Sequence, residues 1–175
     1  MNQRSFVFAG SVLGGFALLG GLALISAQAA APSTTKSQLD LAKVEAQKGD
    51  WSRWRGPNGD GVSAEKGLLA EWSDDGPPLA WQGKGFGAGF SSVAVSGGKI
   101  FTLGHKDGKC CLIAADVKDG KVLWTTPFGG GGPNCTPTVD GNLVFGVSNE
   151  GELACCDTKS GRVLWSHSFP KDFGG

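Results

Sequence analysis

The sequence predicts an all-β protein, a partial β-propeller of two four-stranded blades plus part of a third in an open arc. The pattern D-x-K-x-G-[KR]-V-L-W ends at Trp124 and again at Trp165, 41 residues later. A weaker copy ends at Trp81, 43 residues before Trp124. Glycine turns separate short runs of Val, Ile, Phe and Trp. Self-similarity at roughly 40–45 residues, built from short strands and Gly turns, is typical of propeller blades.

Each repeat divides into four short strands. In the first repeat the apolar runs predict strands at 91–95, 99–103, 110–115 and 121–125. In the second repeat the matching runs predict strands at 136–139, 143–147, 152–156 and 162–166. Val95 aligns with Val139 and Phe101 with Phe145, so the second copy is three residues shorter at its middle turn. Exposed hairpin tips tolerate such deletions, which supports the alignment.

The residues that the repeats share have physical roles in turns and packing. An Asp at a strand end can accept hydrogen bonds from backbone N–H groups two or three residues on. A Gly with positive φ then closes the loop. The Trp is expected between neighbouring blades, where its indole N–H can find a backbone acceptor. We therefore assign a structural blade motif, not a catalytic one, to Asp116, Gly120, Trp124, Asp157, Gly161 and Trp165.

The repeated motif carries a family resemblance. The pattern A-x-D-x-x-x-G-x-x-x-W at 114–124 resembles the tryptophan-docking motif of the pyrroloquinoline quinone (PQQ) repeat family, and Cys155 replaces the Ala in the second copy. The stretch D-W-S-R-W-R-G-P at 50–57 is similar to the opening of PQQ-like propellers of planctomycete-type bacteria. The resemblance covers 50–175 and implies the fold. It says little about activity, because the family includes quinoprotein dehydrogenases and non-enzymatic propellers such as the lipoprotein that assists outer-membrane protein assembly.

The repeat region is short for a closed propeller. Residues 50–175 number 126, enough for about three blades, whereas closure needs at least four. The stretch 169–175 falls where the next blade is expected to begin. We therefore expect an N-terminal fragment whose partners are missing blades or a protein at the exposed strand edges.

The N-terminus predicts export. Residues 1–29 combine a short basic start, an apolar run at 6–25 and the small-x-small site A-Q-A, which is the pattern of a secretory signal peptide. The alternative is an uncleaved anchor in the inner membrane formed by 6–25. Residues 30–49 are polar and predict a linker, followed by the incomplete propeller domain at 50–175. The protein is therefore expected in the periplasm or outside the cell.

Charge argues against nucleic acid as a partner. The chain has 16 Lys and Arg against 16 Asp and Glu, with no basic stripe to neutralise phosphates. Trp51, Trp54 and Arg55 could form an aromatic contact surface, although packing against the sheet is the favoured interpretation.

The five cysteines include two adjacent pairs, Cys110–Cys111 and Cys155–Cys156, with Cys135 alone. The pairs fall on predicted strands, where Cys serves as a small apolar residue, so buried thiols are favoured. A disulfide within or between the pairs is the alternative in an exported protein. The resemblance adds a third interpretation, because PQQ-dependent alcohol dehydrogenases cover their cofactor with a vicinal disulfide. Neighbouring strand residues point to opposite faces and no C-x-x-C spacing occurs, so no zinc site is predicted.

No catalytic, cofactor-binding or metal-binding residue is predicted. His105 and His167 have no partner at a recognisable triad spacing. The resemblance implies PQQ and calcium only for a longer version of the protein, and their ligands cannot be placed on this sequence. We expect an exported, non-catalytic PQQ-like propeller that binds or scaffolds at the cell envelope. The alternative is the N-terminal part of a PQQ-dependent alcohol or sugar dehydrogenase.

Overall fold

The computed structural model of the protein describes residues 49–174. The predicted signal peptide at 1–29, the alternative anchor at 6–25 and all but the last residue of the linker lie outside these residues. The chain forms eight strands and one short helix, in this order: β1 (Ala94–Ser96), β2 (Lys99–Lys106), β3 (Lys109–Asp116), β4 (Val122–Gly129), β5 (Thr138–Asp140), β6 (Leu143–Val147), β7 (Glu152–Asp157), β8 (Val163–Ser168) and α1 (Phe169–Phe173).

The strands form two four-stranded antiparallel sheets, ordered β1-β2-β3-β4 and β5-β6-β7-β8. Each predicted strand is present, and the predicted open propeller arc is confirmed. The two sheets share a β-bulge at the same repeat position, next to the pairs Ala114–Trp124 and Cys155–Trp165. A bulge increases the local twist and changes the direction of the neighbouring side chains. Because the bulge is at the same repeat position, the Trp124 and Trp165 side chains have equivalent orientations on their sheets.

The bounds of most strands differ from the prediction, those of β1 and β4 among them. The first strand was expected from residue 91, but β1 begins at Ala94. The Ser91 hydroxyl donates to the carbonyl of Cys135 at 2.7 Å and accepts from the Leu103 N–H at 3.2 Å. Ser91 therefore satisfies neighbouring backbone groups through its side chain, outside the β1–β2 ladder. Strand β4 extends to Gly129, well beyond the predicted end at 125.

Helix α1 corrects a second expectation, since a new blade was expected to begin at residue 169. Pro170 lies in the first turn of the helix, where its missing N–H costs nothing. Gly174 ends the helix in the left-handed conformation, with φ 71°. The Asp172 carboxylate accepts the Ser168 N–H at 3.0 Å, so a backbone donor at the start of the helix is satisfied locally.

The core lies between the two sheets. It is formed by residues buried on the facing surfaces: Ala94, Phe101, Leu103, Leu112 and Ala114 of the first sheet, and Val139, Val144, Ala154 and Cys156 of the second. Gly146 makes the close approach possible, because a Cβ at this position would lie 2.8 Å from Cδ2 of Leu103.

The segment at 50–52 joins both sheets along their first strands, and we call it the N-terminal clasp. Trp51 exchanges two backbone hydrogen bonds with Val95 of β1, at 2.7 and 2.9 Å. The carbonyl of Ser52 accepts the N–H of Val139 of β5 at 2.8 Å. The Asp50 carboxylate accepts the Ser96 hydroxyl at 3.1 Å. The clasp covers strand edges that would otherwise offer unpaired backbone groups.

Among residues 49–174, no helix is both long enough and apolar enough to cross a bilayer.

Candidate functional site

The indole of Trp124 docks on the turn of the second repeat. Gly161 has φ 72°, and a Cβ there would lie 2.6 Å from Cδ2 of the Trp124 ring. The Nε1–H of Trp124 donates to the carbonyl of Thr158 at 3.3 Å. The turn thus supplies a flat seat for the ring and an acceptor for its polar edge, and only glycine leaves the seat open.

Trp81 makes the same contacts one repeat earlier. Gly120 has φ 71°, and a Cβ on it would lie 2.5 Å from the Trp81 ring. The Trp81 Nε1–H donates to the carbonyl of Val117 at 3.0 Å. Each of these two Trp residues is therefore held by the turn of the following repeat, which the weak sequence echo at Trp81 did not reveal on its own.

The repeated Asp residues shape these turns. Asp157 Oδ1 accepts both the N–H and the hydroxyl of Ser160, at 2.7 and 2.6 Å. The Ser160 hydroxyl is the main cause that holds the pKa of Asp157 below its ordinary value. The Gly161 N–H donates to the Asp157 carbonyl at 2.8 Å and closes the loop. In the first repeat Asp116 Oδ1 accepts the Lys118 N–H at 2.8 Å.

An aromatic pair has the same geometry in both sheets. The rings of Phe101 and Trp124 lie 6.0 Å apart at 50°, and those of Phe145 and Trp165 lie 5.9 Å apart at 49°. The second sheet covers the Phe101–Trp124 pair of the first sheet, and Phe101 is 1% exposed. In the second sheet Phe145 is half-buried and Trp165 is 36% exposed. The second sheet thus presents a face equivalent to one that is buried elsewhere in the same molecule.

This face, which we call the Trp165 face, follows one cross-strand row. The ladder places Thr138 opposite Phe145, Phe145 opposite Cys155 and Cys155 opposite Trp165. A groove of about 520 Å³ adjoins the row and is lined in part by Phe145 and Leu153. Within the described chain the Trp165 indole N–H makes no hydrogen bond, in contrast to those of Trp81 and Trp124. The sequence alignment of Phe145 with Phe101 was the signal that could have identified this face.

The four paired cysteines are buried free thiols in the structure. Burial raises the pKa of the Cys110 thiol to about 12 and that of Cys156 to about 11. Burial also raises the pKa of Cys111 and Cys155. Such thiols are weak nucleophiles, because the thiolate is the reactive form. A disulfide within or between the pairs stays a prediction.

Within 49–174, no three His, Cys, Asp or Glu side chains converge so that they could hold a metal ion. The two adjacent cysteine pairs lie buried inside the sheets.

His167 has a partner that sequence spacing did not suggest. Its Nδ1 lies 3.0 Å from Oδ2 of Asp172, and its ring lies 5.6 Å from that of Trp165. His167 and Asp172 come together because α1 packs back against β8. Within the described structure no nucleophile lies beside the His167–Asp172 pair. The pair forms a polar rim at the border of the Trp165 face.

The three residues suggested for an aromatic contact surface differ in how far they are buried. Trp51 is half-buried, and its ring packs on Gly56, whose Cβ would lie 2.8 Å from it. Trp54 is 67% exposed and Arg55 is also exposed. Packing against the sheet was favoured for all three residues; for Trp54 and Arg55 that interpretation is wrong.

Comparison with known proteins places these features in a context. Residues 40–172 match a PQQ-type family model described as outer membrane protein assembly factor BamB. None of the curated proteins matches the sequence significantly.

Many solved structures are similar, and three of them illustrate the range. The quinohemoprotein alcohol dehydrogenase from Comamonas testosteroni shares 14% identity over 74% of this chain and 21% of its own, with a TM-score of 0.56. BamB from Moraxella catarrhalis shares 22% identity over 51% of this chain and 27% of its own, with a TM-score of 0.44. A quinohemoprotein alcohol dehydrogenase from Pseudomonas putida HK5 shares 21% identity over 55% of this chain and 15% of its own, also with a TM-score of 0.44. The chain thus spans about a quarter or less of these structures, and the first similarity supports the fold alone.

Proposed function

The chain belongs to the PQQ-like repeat family whose model is described as outer membrane protein assembly factor BamB, and from this we infer an exported, non-catalytic propeller module that binds protein at the cell envelope. The family description supports a place in the envelope and a role in assembly. The predicted signal peptide at 1–29 supports export. The absence of a defensible acid–base pair or nucleophile among the sequence candidates supports binding over catalysis.

The Trp165 face is the observation that carries this proposal. Its Phe145–Trp165 pair has the geometry of a pair that is buried between the two sheets. Trp165 remains 36% exposed, and its indole N–H makes no hydrogen bond within residues 49–174. Large aromatic side chains with one unsatisfied polar edge are typical anchors of protein interfaces.

The docking of Trp81 and Trp124 defines the partner chemistry. The partner is a sheet of the same repeat type that belongs to another protein, since a further blade of this protein would make the face part of its own fold. Its Asp-x-x-x-Gly turn would seat the indole on a positive-φ glycine and offer a carbonyl to Nε1. The chain's own turns at Gly120 and Gly161 are already filled by Trp81 and Trp124. A second copy of this chain is therefore disfavoured as the partner.

Site-specific photo-crosslinking in envelope extracts of the native host tests the proposal. A photoreactive phenylalanine at position 165 is expected to form one defined adduct whose cross-linked peptide contains an Asp-x-x-x-Gly turn. The same residue at position 72, where Trp72 is 66% exposed, is the matched control and should give none. Equal cross-linking from both positions, or a peptide without such a turn, would contradict the proposal.

A second assay addresses catalysis. The protein, in the longest form that the host produces, is supplied with PQQ and calcium and assayed for dye reduction with alcohols or aldose sugars. We expect no reduction above that of a Cys110→Ser/Cys111→Ser variant. Clear cofactor-dependent reduction would favour the dehydrogenase alternative.

A further inference from the structure

Two connected clefts lie at the β2–β3 and β6–β7 hairpin end of the sheets, next to the groove that adjoins the Trp165 face. One of about 480 Å³ is lined in part by Phe90, His105 and Asn149. The other, of about 400 Å³, is lined in part by Trp54 and Thr136. Phe90 and Asn134 line both clefts, so they form one continuous depression. Its volume lies in the range typical of small-ligand sites.

Backbone hydrogen bonds hold the inner wall of this depression. The Phe90 N–H donates to the Pro133 carbonyl at 2.9 Å. Ala88 exchanges two hydrogen bonds with His105, at 3.1 and 2.7 Å. These contacts fix the loop that carries Phe90 against the loop that carries Asn134. A ligand would therefore meet a surface whose shape is already formed.

The opposite wall is a tight turn that carries Trp54. The Gly56 N–H donates to the Arg53 carbonyl at 3.0 Å, and Arg53 Nη2 donates to the Pro57 carbonyl at 3.0 Å. Trp54 is 67% exposed and Phe90 is 90% exposed, and both line the same cleft. Two exposed rings on ordered loops, with space between them, resemble the aromatic walls of a binding cleft more than a packed core.

The polar groups of the depression carry no fixed charge. Asp, Glu, Lys and Arg are absent from the described residues that line the two clefts. The side chains of Asn134 and Asn149 are exposed and make no hydrogen bond within the described chain. Their amides and the Thr136 hydroxyl can each donate and accept. This lining suits a ligand that has many hydroxyl groups, apolar faces and no net charge.

We propose that this depression binds a neutral saccharide. A pyranose ring has a C–H face that packs on an indole or phenyl ring, and its hydroxyl groups require donors and acceptors at its rim. Trp54 and Phe90 supply the flat apolar contacts, and Asn134 supplies the amide between them. Asn134 also lines the groove beside the Trp165 face, whereas Trp54 and Phe90 do not. The Trp54→Ala variant therefore tests the saccharide site separately from the Trp165 face.

Calorimetric titration of the full chain with cellotetraose and chitotetraose tests this site. We expect binding to at least one of these neutral oligosaccharides and at least tenfold weaker binding to tetragalacturonate, their anionic counterpart. Trp54→Ala and Asn134→Ala should each weaken binding about tenfold, which is the loss expected from one stacking or hydrogen-bonding group. Trp72→Ala removes an equally exposed indole that does not line the clefts and should leave the affinity unchanged.

Circular dichroism of each variant confirms that its sheets are intact, which is expected because Trp54 and Asn134 are exposed. Failure of both neutral oligosaccharides to bind would overturn the proposal. Equal losses from Trp54→Ala and Trp72→Ala, or preference for the anionic ligand or an uncharged peptide, would also overturn it.

Discussion

Gly161 occupies a position where any side chain would collide with the indole of Trp124. An alanine Cβ would lie 2.6 Å from the ring, and the backbone has φ 72°. Gly108 has nearly the same conformation, with φ 75°, but its Cβ would meet nothing within 4 Å. Comparing alanine substitutions at Gly108 and Gly161 therefore separates the cost of backbone strain from the cost of displacing the Trp124 ring.

We expect Gly108→Ala to lower the free energy of unfolding by about 1–2 kcal/mol, because only left-handed strain is added. Gly161→Ala should cost about 3 kcal/mol, since the strain is combined with displacement of the Trp124 ring. Urea denaturation of both variants measures the difference. Equal losses would show that the ring moves without cost.

The hydroxyl of Ser160 is the main reason that the pKa of Asp157 lies below its ordinary 3.8. A carboxyl with a depressed folded-state pKa stabilises the fold above its unfolded pKa and loses this contribution as the pH falls through the folded pKa. Ser160→Ala should therefore be destabilised at neutral pH and approach the wild type in acid. Unfolding curves over a pH series measure the gap, and a gap that is constant with pH would contradict this assignment.

Thiol reactivity distinguishes buried thiols from disulfides. Because the pKa values of Cys110 and Cys156 are about 12 and 11, we expect neither to be alkylated in the folded protein at mildly alkaline pH. Both should react in urea without a reductant. Mass spectrometry of protein isolated from the native host gives the number of alkylated cysteines. Labelling in urea only after reduction would instead establish the alternative, a disulfide.

At the scale of elements, the N-terminal clasp ties β1 to β5 through three backbone hydrogen bonds. The Trp51 ring packs on Gly56 and holds the clasp in place. In Trp51→Ala we expect faster hydrogen exchange at the N–H groups of Val95 and Val139, which the clasp covers. Trp72→Ala should leave both rates unchanged. Unchanged rates in Trp51→Ala would show that the clasp is held by Asp50 instead.

The strands could be predicted because each is a short apolar run between glycine turns, and the repeat checks one copy against the other. The clasp could not, because two isolated backbone contacts at residues 51 and 52 leave no periodic pattern. Helix α1 was missed since its five residues are too few for a helical period. Of the candidate sites, the Trp motif was visible in the sequence. The clefts were not, because Trp54, Phe90 and Asn134 come together only through turns.

At the scale of the whole molecule, stability depends on how neighbouring sheets stack. In a repeat protein each unit contributes its own stability and an interface with its neighbour, so the same residue has a different weight at different positions. Trp124 and Trp165 occupy the same repeat position and pair with Phe101 and Phe145 at nearly identical distances. Trp124 lies between two sheets and donates to Thr158, whereas Trp165 is 36% exposed.

We therefore expect Trp124→Ala to lower the free energy of unfolding by about 3–5 kcal/mol, as for a large ring removed from a packed interface. Trp165→Ala in the same chain should cost less, about 2 kcal/mol, because 36% of its surface is already exposed to water. Urea denaturation of the two variants gives both values. Similar losses would mean that the Trp stabilises its own sheet through the Phe contact, and that docking on the neighbouring turn contributes little. If a partner sheet covers the Trp165 face, its addition should raise the cost of Trp165→Ala towards that of Trp124→Ala.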